Sequence, residues 1–528
     1  MLVVSIFYLS YRIGCRGRSP SVNFFGFCFL AARRSAATSC LKISAIDSFV
    51  VECPQKCVNQ GMTNCAPLSC IIAFLFSLSS FAAEKPNILF IFADDQCYET
   101  IAALGYTDID TPNLDRLANQ GTAFTQTYNM GGWHGAICVA SRTMINTGRF
   151  IWRARDLEPK LSQEISNERM WSQLMHRAGY ETFFTGKWHV KADTGAIFDH
   201  VSHVRPGMPG PIYYPEAYGR PVEGQSDPWD ATDPKFEGFW AGGRHWSEVV
   251  ADNAENFMEI TSRSEKPFFM YLAFNAPHDP RQAPQEYLDR YPLDRIDVPK
   301  SFIPEYPYAE AGNVAEVRDE VLAPYPRTEY AVKVHRREYY AIITHMDEQI
   351  GRILDALEKS GKADNTYIFF TADHGLAVGH HGFIGKQNMY EHSLRTPLLV
   401  TGPTIAKGER LDARVYLQDI MPTSLELAGI PIPEYVEFKS LLPVMNGDRE
   451  LQYDYIYGAY EPESQRAFIS QDFKLIHYPT IDKYRLYDLD TDPLELNDLA
   501  GKAKHEGTLS KMKSEFSWFM GRMADPLK

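Results

Sequence analysis

Four stretches of this sequence share one design that leaves few folds open. "NILFIFADD" (87–95), "TFFTGKWH" (182–189), "PFFMYLAFNAPH" (267–278) and "YIFFTADHG" (367–375) each begin as an unbroken apolar, aromatic or β-branched run and finish in polar residues. A strand without polar alternation has to be covered on both faces, which is the condition of a central strand in a parallel sheet. Helical patterns lie between the runs. "TPNLDRLANQG" offers Thr111 as N-cap, Pro112 in the first turn, Leu114, Leu117 and Ala118 on one face, and Gly121 as terminator. "ERMWSQLMHRAG" places Trp171, Leu174, Met175 and Ala178 likewise, and "YYAIITHMDEQIGRILDALEKSG" carries a stripe of Ile342, Met346, Ile350, Ile353 and Leu357 before Gly361. The alternation predicts an α/β fold built on one large, mostly parallel sheet flanked by helices.

From about residue 440 the pattern changes to short alternating pieces, "RAFISQ", "FKLIHY" and "YRLYDL", followed by "LSKMKSEFSWFM". These predict a smaller C-terminal antiparallel sheet and a closing helix. The expected organisation is an N-terminal extension with a signal peptide over 1–83, the α/β domain over 84–435, and the small subdomain over 436–528. Within the first part, "IIAFLFSLSSFAA" (71–83) is too short to span a bilayer and ends in small residues, as a secretory h-region does. It places the export signal around 62–83, with Met62 as the expected start, and predicts a periplasmic or secreted protein without a stable membrane span. Seven of the nine cysteines precede residue 84, leaving Cys97 and Cys138, so no disulfide framework is implied. A net charge of −14 repels nucleic acid and anionic membranes at long range, so an anionic substrate has to be gripped by a few local cations.

In open parallel sheets ligands collect beyond the carboxyl ends of the strands, where the four polar endings converge. Asp94 and Asp95 follow the first run, and Asp373 and His374 the fourth. Carboxylates gathered at one edge repel each other unless a cation sits among them, and hard oxygen ligands favour Ca²⁺ or Mg²⁺. Lys187 and His189 end the second run, His278 the third, and Lys386 lies soon after the fourth, in "GFIGKQNMYEHS". Two ammonium groups beside a metal suit a tetrahedral oxyanion. The helix expected to begin at Cys138, in "AICVASRTMINTGR", adds unpaired N–H groups and a dipole that also favour an anion. His134 in "GGWHGA" and Arg244 with His245 in "GGRHWSE" are candidate contacts to a sugar or carboxylate. The long aperiodic loops over 200–247 and 280–335 are the expected seat of specificity.

"CVASRTMINTGR" resembles the signature of the type I sulfatases, C-x-P/A-S-R-x-x-x-L-T-G-R, within the alkaline phosphatase superfamily. "PNILFIFADD", "TPNLDRLANQGTAF", "GKWH", "APHDP", "TADHG", "GKQNMYEHSLRTPLLV" and "LYDLDTDPLELNDLA" follow in family order, so the resemblance spans about residues 85–528. Ala140 stands where many members have Pro, Asn146 where Leu is usual, and His374 where many have Asn; the Asp-His pair is similar to the choline-sulfatase-like branch.

The resemblance implies an alkaline-phosphatase-like fold and conversion of Cys138 to 3-oxoalanine (formylglycine) by a formylglycine-generating or anaerobic sulfatase-maturating enzyme. It implies one Ca²⁺ held by Asp94, Asp95, Asp373, His374 and the side chain of residue 138. Arg142 is implied to steady the nucleophile, Lys187 and Lys386 to grip sulfate, His278 to protonate the departing alcohol and His189 to act as base. The expected substrate is a sulfated carbohydrate, an algal polysaccharide or glycosaminoglycan fragment. Two alternatives stay open: a phosphonate monoester hydrolase or phosphodiesterase on the same scaffold, and a non-catalytic binder of sulfated glycans.

Overall fold

The computed structural model describes residues 84–208, 214–308 and 317–528. The expected extension and signal peptide lie outside the described residues.

The large sheet has nine strands among the described residues. They are β1 (Asn87–Ala93), β2 (Thr122–Tyr128), β4 (Glu181–Lys187), β5 (His200–Arg205), β6 (Phe268–Ala273), β7 (Thr366–Ala372), β8 (Arg395–Thr401), β9 (Glu409–Leu411) and β10 (Val415–Tyr416). The order is β10-β2-β8-β7-β1-β6-β4-β5, with β9 also pairing β2. The run β5-β4-β6-β1-β7 is parallel throughout, and β8 is antiparallel to both its neighbours. Every residue of β1 and β6 is buried, because both faces are covered. On one face Leu89 and Ile91 join the core of helices α1 (Pro112–Gln120), α4 (Trp246–Ser262) and α5 (Glu329–Lys359). On the other, Ile88, Phe90 and Phe92 meet α2 (Ile137–Thr147) and α3 (Trp171–Arg177) through Ile145, Trp171 and Leu174. This is the mixed α/β architecture the apolar runs demand.

The smaller sheet runs β14-β13-β12-β11-β3, from β11 (Tyr455–Tyr460), β12 (Gln465–Ser470), β13 (Phe473–Tyr478) and β14 (Lys483–Asp488) to the short β3 (Gly131–Gly132). Helix α6 (Glu506–Met523) closes it with Met512, Phe516 and Met520. The pairing of β11 with β3 is parallel and ties this sheet to the segment just before Cys138.

Three local expectations give way to tertiary structure. Thr111 does not cap α1 with its side chain; Asp347 of α5 accepts from the Asn113 and Leu114 amides at 3.0 and 2.7 Å instead. The third apolar run stops being a strand at Ala273, and His278 sits in the buried turns that follow. Helix α2 begins at Ile137, so Cys138 lies within its first turn.

Between Thr185 and Gly186 the register of β4 on β5 shifts, with His203 the extra residue on β5, and Lys187 pairs with Arg205 beyond it. Gly186 has φ +98°, and a Cβ there would lie 1.7 Å from the Ala273 carbonyl oxygen. Gly186→Ala is therefore expected to destabilise the protein by about 2 kcal/mol or more, seen as a lower urea midpoint; an unchanged midpoint would contradict this reading of the close approach.

Candidate active site

The parallel register of β1 on β7 aligns Ala93 with Ala372, so the residues that follow each strand emerge side by side. Asp94, Asp95, Asp373 and His374 are all buried. The Asp95 amide donates to Asp373 Oδ1 at 3.1 Å. His374 Nδ1 lies 2.7 Å from the Gly375 carbonyl oxygen, an acceptor, so Nδ1 carries the hydrogen and Nε2 keeps its lone pair in the neutral ring. That Nε2 is 2.9 Å from Asp95 Oδ1. Two lone pairs at this separation repel unless a proton or a cation lies with them. Asp94 Oδ1, Asp95 Oδ1 and His374 Nε2 are buried without a hydrogen-bond partner among the described residues. Donor atoms of Asp94, Cys138 and Asp373, of Asp94, Asp95 and His278, and of Asp95, Asp373 and His374 each fall within 4.8 Å of one another. An oxygen-rich set with orphaned acceptors fits a hard divalent cation.

Three cations balance the three carboxylates. Arg142 donates from Nε to Asp373 Oδ2 at 2.9 Å and from Nη1 to the Lys187 carbonyl at 2.7 Å, with its guanidinium 4.6 Å from the centre of the Phe92 ring. Lys187 bonds Asp94, and Lys386 bonds Asp95. Burial pushes the Asp94 carboxyl well above its ordinary pKa, with Asp373 and Asp95 adding to the shift against Lys187. Burial also acts to raise Asp95, but His278, Lys386 and His374 outweigh it and hold it well below the usual range. Burial would lower His374, yet Asp95 and Asp373 raise it. With acids and permanent cations already matched, a divalent ion would leave the site positively charged and selective for an anion.

Cys138, 2% exposed, faces this charge from the first turn of α2, with Sγ 3.1 Å from His189 Nδ1. Burial would raise its thiol pKa, but Lys187 and Lys386 lower it. His189 follows β4 with φ +54°. Burial, then Lys187 and Arg142, drive its imidazole pKa down to about 3, so it is a neutral base. His278 Nδ1 donates to the Asp279 carbonyl at 2.8 Å, and its Nε2 is 3.0 Å from Lys386 Nζ. The nine residues named from the strand endings and the cysteine motif, together with Arg142, thus meet at one edge.

The three substrate-contact candidates divide. His134 is half-buried beside the start of α2, its Nδ1 accepting from the Ala136 amide at 3.2 Å. Arg244 is exposed and paired with Glu248 and Asp252. His245 is a correction: it is fully buried, caps α4 by accepting from the Ser247 amide, donates to the Gln282 carbonyl at 3.0 Å and stacks on Phe239. Neither ring nitrogen is left for a ligand. Cys97 and Cys138 are both free thiols.

Sequence reasoning missed a supporting layer. Arg318 holds Asp279 at 2.7 Å, and Asp319 accepts from Gln387 at 2.9 Å while lying 3.7 Å from Lys386 Nζ. These residues sit in an aperiodic loop, where no spacing signal marks them.

A family model described as sulfatase matches residues 86–430, and one described as N-sulphoglucosamine sulphohydrolase, C-terminal, matches 379–520. The N-acetylglucosamine-6-O-sulfatase of Bacteroides thetaiotaomicron is 29% identical, over 80% of this chain and 84% of its own. The choline-sulfatase of Rhizobium meliloti is 28% identical, over 79% and 82%. A solved structure of BT4656 with its substrate D-glucosamine-2-N,6-O-disulfate superimposes with a TM-score of 0.65 at 25% identity, covering 84% of this chain and 99% of that one. Fold and site thus define an alkaline-phosphatase-like hydrolase of anionic esters. More narrowly, the chain belongs to the sulfatase family and is a sulfuric ester hydrolase.

If the orphaned acceptors serve a cation, Asp95→Ala and His374→Ala are each expected to strip bound divalent metal from the purified protein, measured by plasma mass spectrometry. Equal metal content in both variants and the parent would contradict the assignment.

Proposed function

We propose that this protein is an exported sulfatase that cleaves O-sulfate esters of a sulfated carbohydrate, using Cys138 matured to formylglycine and Ca²⁺ held by Asp94, Asp95, Asp373 and His374. The observation that carries the reading is the meeting of Cys138 Sγ with His189 Nδ1 at 3.1 Å, directly against the acidic cluster. The glucosamine-sulfate names of the relatives support a sugar substrate. The apolar stretch 71–83 supports export; among the described residues no helix is long and apolar enough to cross a membrane.

When bound, Ca²⁺ supplies Lewis-acid polarisation of sulfate and nucleophile oxygens. A hydrated aldehyde at residue 138 offers two hydroxyls, one to attack sulfur and one to release the product afterwards. Lys187 and Lys386 bind and orient the sulfate oxygens. Arg142, fixed by Asp373 and the Lys187 carbonyl, holds positive charge beside the nucleophile. His278 Nε2, 3.0 Å from the Lys386 ammonium, delivers a proton to the departing alcohol oxygen as the S–O bond to the sugar breaks. His189 Nδ1, a neutral base, would take the proton of the second hydroxyl, which would let the carbonyl re-form as sulfate leaves and water restore the hydrate. A serine or plain cysteine at this position would lack the second hydroxyl and would stall after the first transfer.

Two measurements test this. Protein from its native host is expected to show the aldehyde mass at residue 138 and to release inorganic sulfate from defined sulfated oligosaccharides, with Cys138→Ala inactive. An intact thiol with no release across the panel would overturn it in favour of a binder, and faster turnover of matched phosphate or phosphonate esters would favour the other hydrolase. His278→Ala is expected to slow release from alkyl (sugar) sulfates by about 10²–10⁴-fold, and release from 4-nitrophenyl sulfate much less, because nitrophenolate leaves without a proton. Equal losses on both substrates would contradict the acid role.

A further inference from the structure

The cations described at the carboxyl edge of the sheet are matched by acids: Arg142 by Asp373, Lys187 by Asp94, Lys386 by Asp95 and Arg318 by Asp279. Arg205 is different. It ends the edge strand β5 in register with Lys187 of β4, and no hydrogen bond or ion pair engages its guanidinium among the described residues. Instead the guanidinium lies over the Trp246 ring, 4.3 Å from its centre. Trp246 is a rigid platform, 5% exposed, with its indole N–H donating to the Ala241 carbonyl at 3.0 Å. Arg205 itself is partly exposed. Burial, unopposed by any nearby carboxylate, lowers its pKa, yet an arginine remains cationic at neutral pH.

The chain runs from Arg205 directly to the wall of the site. The Pro206 carbonyl accepts from Asn275 Nδ2 at 3.0 Å. Gly207 then packs on the His189 ring so closely that a Cβ would lie 2.1 Å from Cε1. His189 in turn touches Cys138.

We propose that Arg205 forms a subsite for a second anionic group of the substrate, a carboxylate or a further sulfate, flanking the ester that is cleaved. The inference rests on the sulfated-carbohydrate reading above and narrows it to multiply charged glycans. A guanidinium held over an indole face, with no other partner among the described residues, has N–H donors to offer a planar or tetrahedral oxyanion. The stacking also fixes the side chain before binding, so little conformational freedom is lost when the anion arrives. Partial burial without an acid is a desolvation cost that a ligand's charge would offset. In a chain of net charge −14, an unmatched cation here stands out from its surroundings.

The test uses three disaccharides that share one sulfate ester: one with no other charge, one with a uronate carboxylate, and one with a second sulfate. Binding is measured by calorimetry to Cys138→Ala protein, with and without Arg205→Gln. At least one doubly charged sugar is expected to bind about tenfold more tightly than the singly charged one, which identifies the anion, and Arg205→Gln is expected to erase the difference. Arg205→Lys, which keeps charge but loses the flat fork, is expected to retain only part of it. Equal affinities for all three sugars, or a preference that survives Arg205→Gln, would overturn the proposal. Sulfate release by the unsubstituted protein is read separately: its absence alongside an Arg205-dependent preference would sink the hydrolase reading and leave the subsite standing.

Discussion

The alignment of Ala93 with Ala372 in adjoining parallel strands governs the whole carboxyl edge of the sheet. It forces Asp94 and Asp95 against Asp373 and His374 in a volume closed to water. Burying three carboxylates together is unfavourable by several kcal/mol per uncompensated charge. The surrounding chain answers with Arg142 from α2, Lys187 from β4 and Lys386 from the loop after β7. Each of these cations is itself buried and exists there only because an acid faces it. Acids and bases are therefore one cooperative unit, and removal of any member strands its partner. The lone pairs on Asp94, Asp95 and His374 that no hydrogen bond engages call for one more positive charge among them, a proton on His374 or a cation.

The small sheet takes part in this arrangement from behind. Its edge partner β3 leads into the turn that presents Cys138, and Gln465 of β12 donates to the Gln387 carbonyl beside Lys386 at 3.1 Å. Five residues beyond Lys386, Glu391 bonds Lys474 of β13 at 3.0 Å, and Lys474 also meets Glu495 at 2.8 Å. Lys474 is wholly buried, so the charged link has little freedom to open. The C-terminal region thus fixes the segments on either side of the site and contributes none of the reacting groups named here.

Much of this was legible in the sequence, for an identifiable reason. Strands covered on both faces need unbroken apolar runs, and their ends are where polar residues become possible, so pattern alone marks both the sheet and its functional edge. Asp94, Lys187 and Asp373 are visible in that way, while Cys138 and Arg142 are visible through the resemblance of their motif. Features set by residues distant in sequence were not legible. Asp347 capping α1, Arg318 bracing Asp279, and the β3–β11 pairing all join segments with no shared periodicity. His245 misled because a histidine beside an arginine at a helix start looks available, whereas the fold spends both its nitrogens on local backbone.

The central claim is that this edge assembles a divalent-cation site directly against the side chain at position 138. A crystal structure of protein purified from its own host, with anomalous diffraction collected to locate metal, tests it most directly. The account predicts a single ion bonded by Asp94, Asp95, Asp373 and His374, with two oxygens on residue 138 turned toward it. An intact thiol and no anomalous peak, with Lys187 and Lys386 still closed on Asp94 and Asp95, would contradict it.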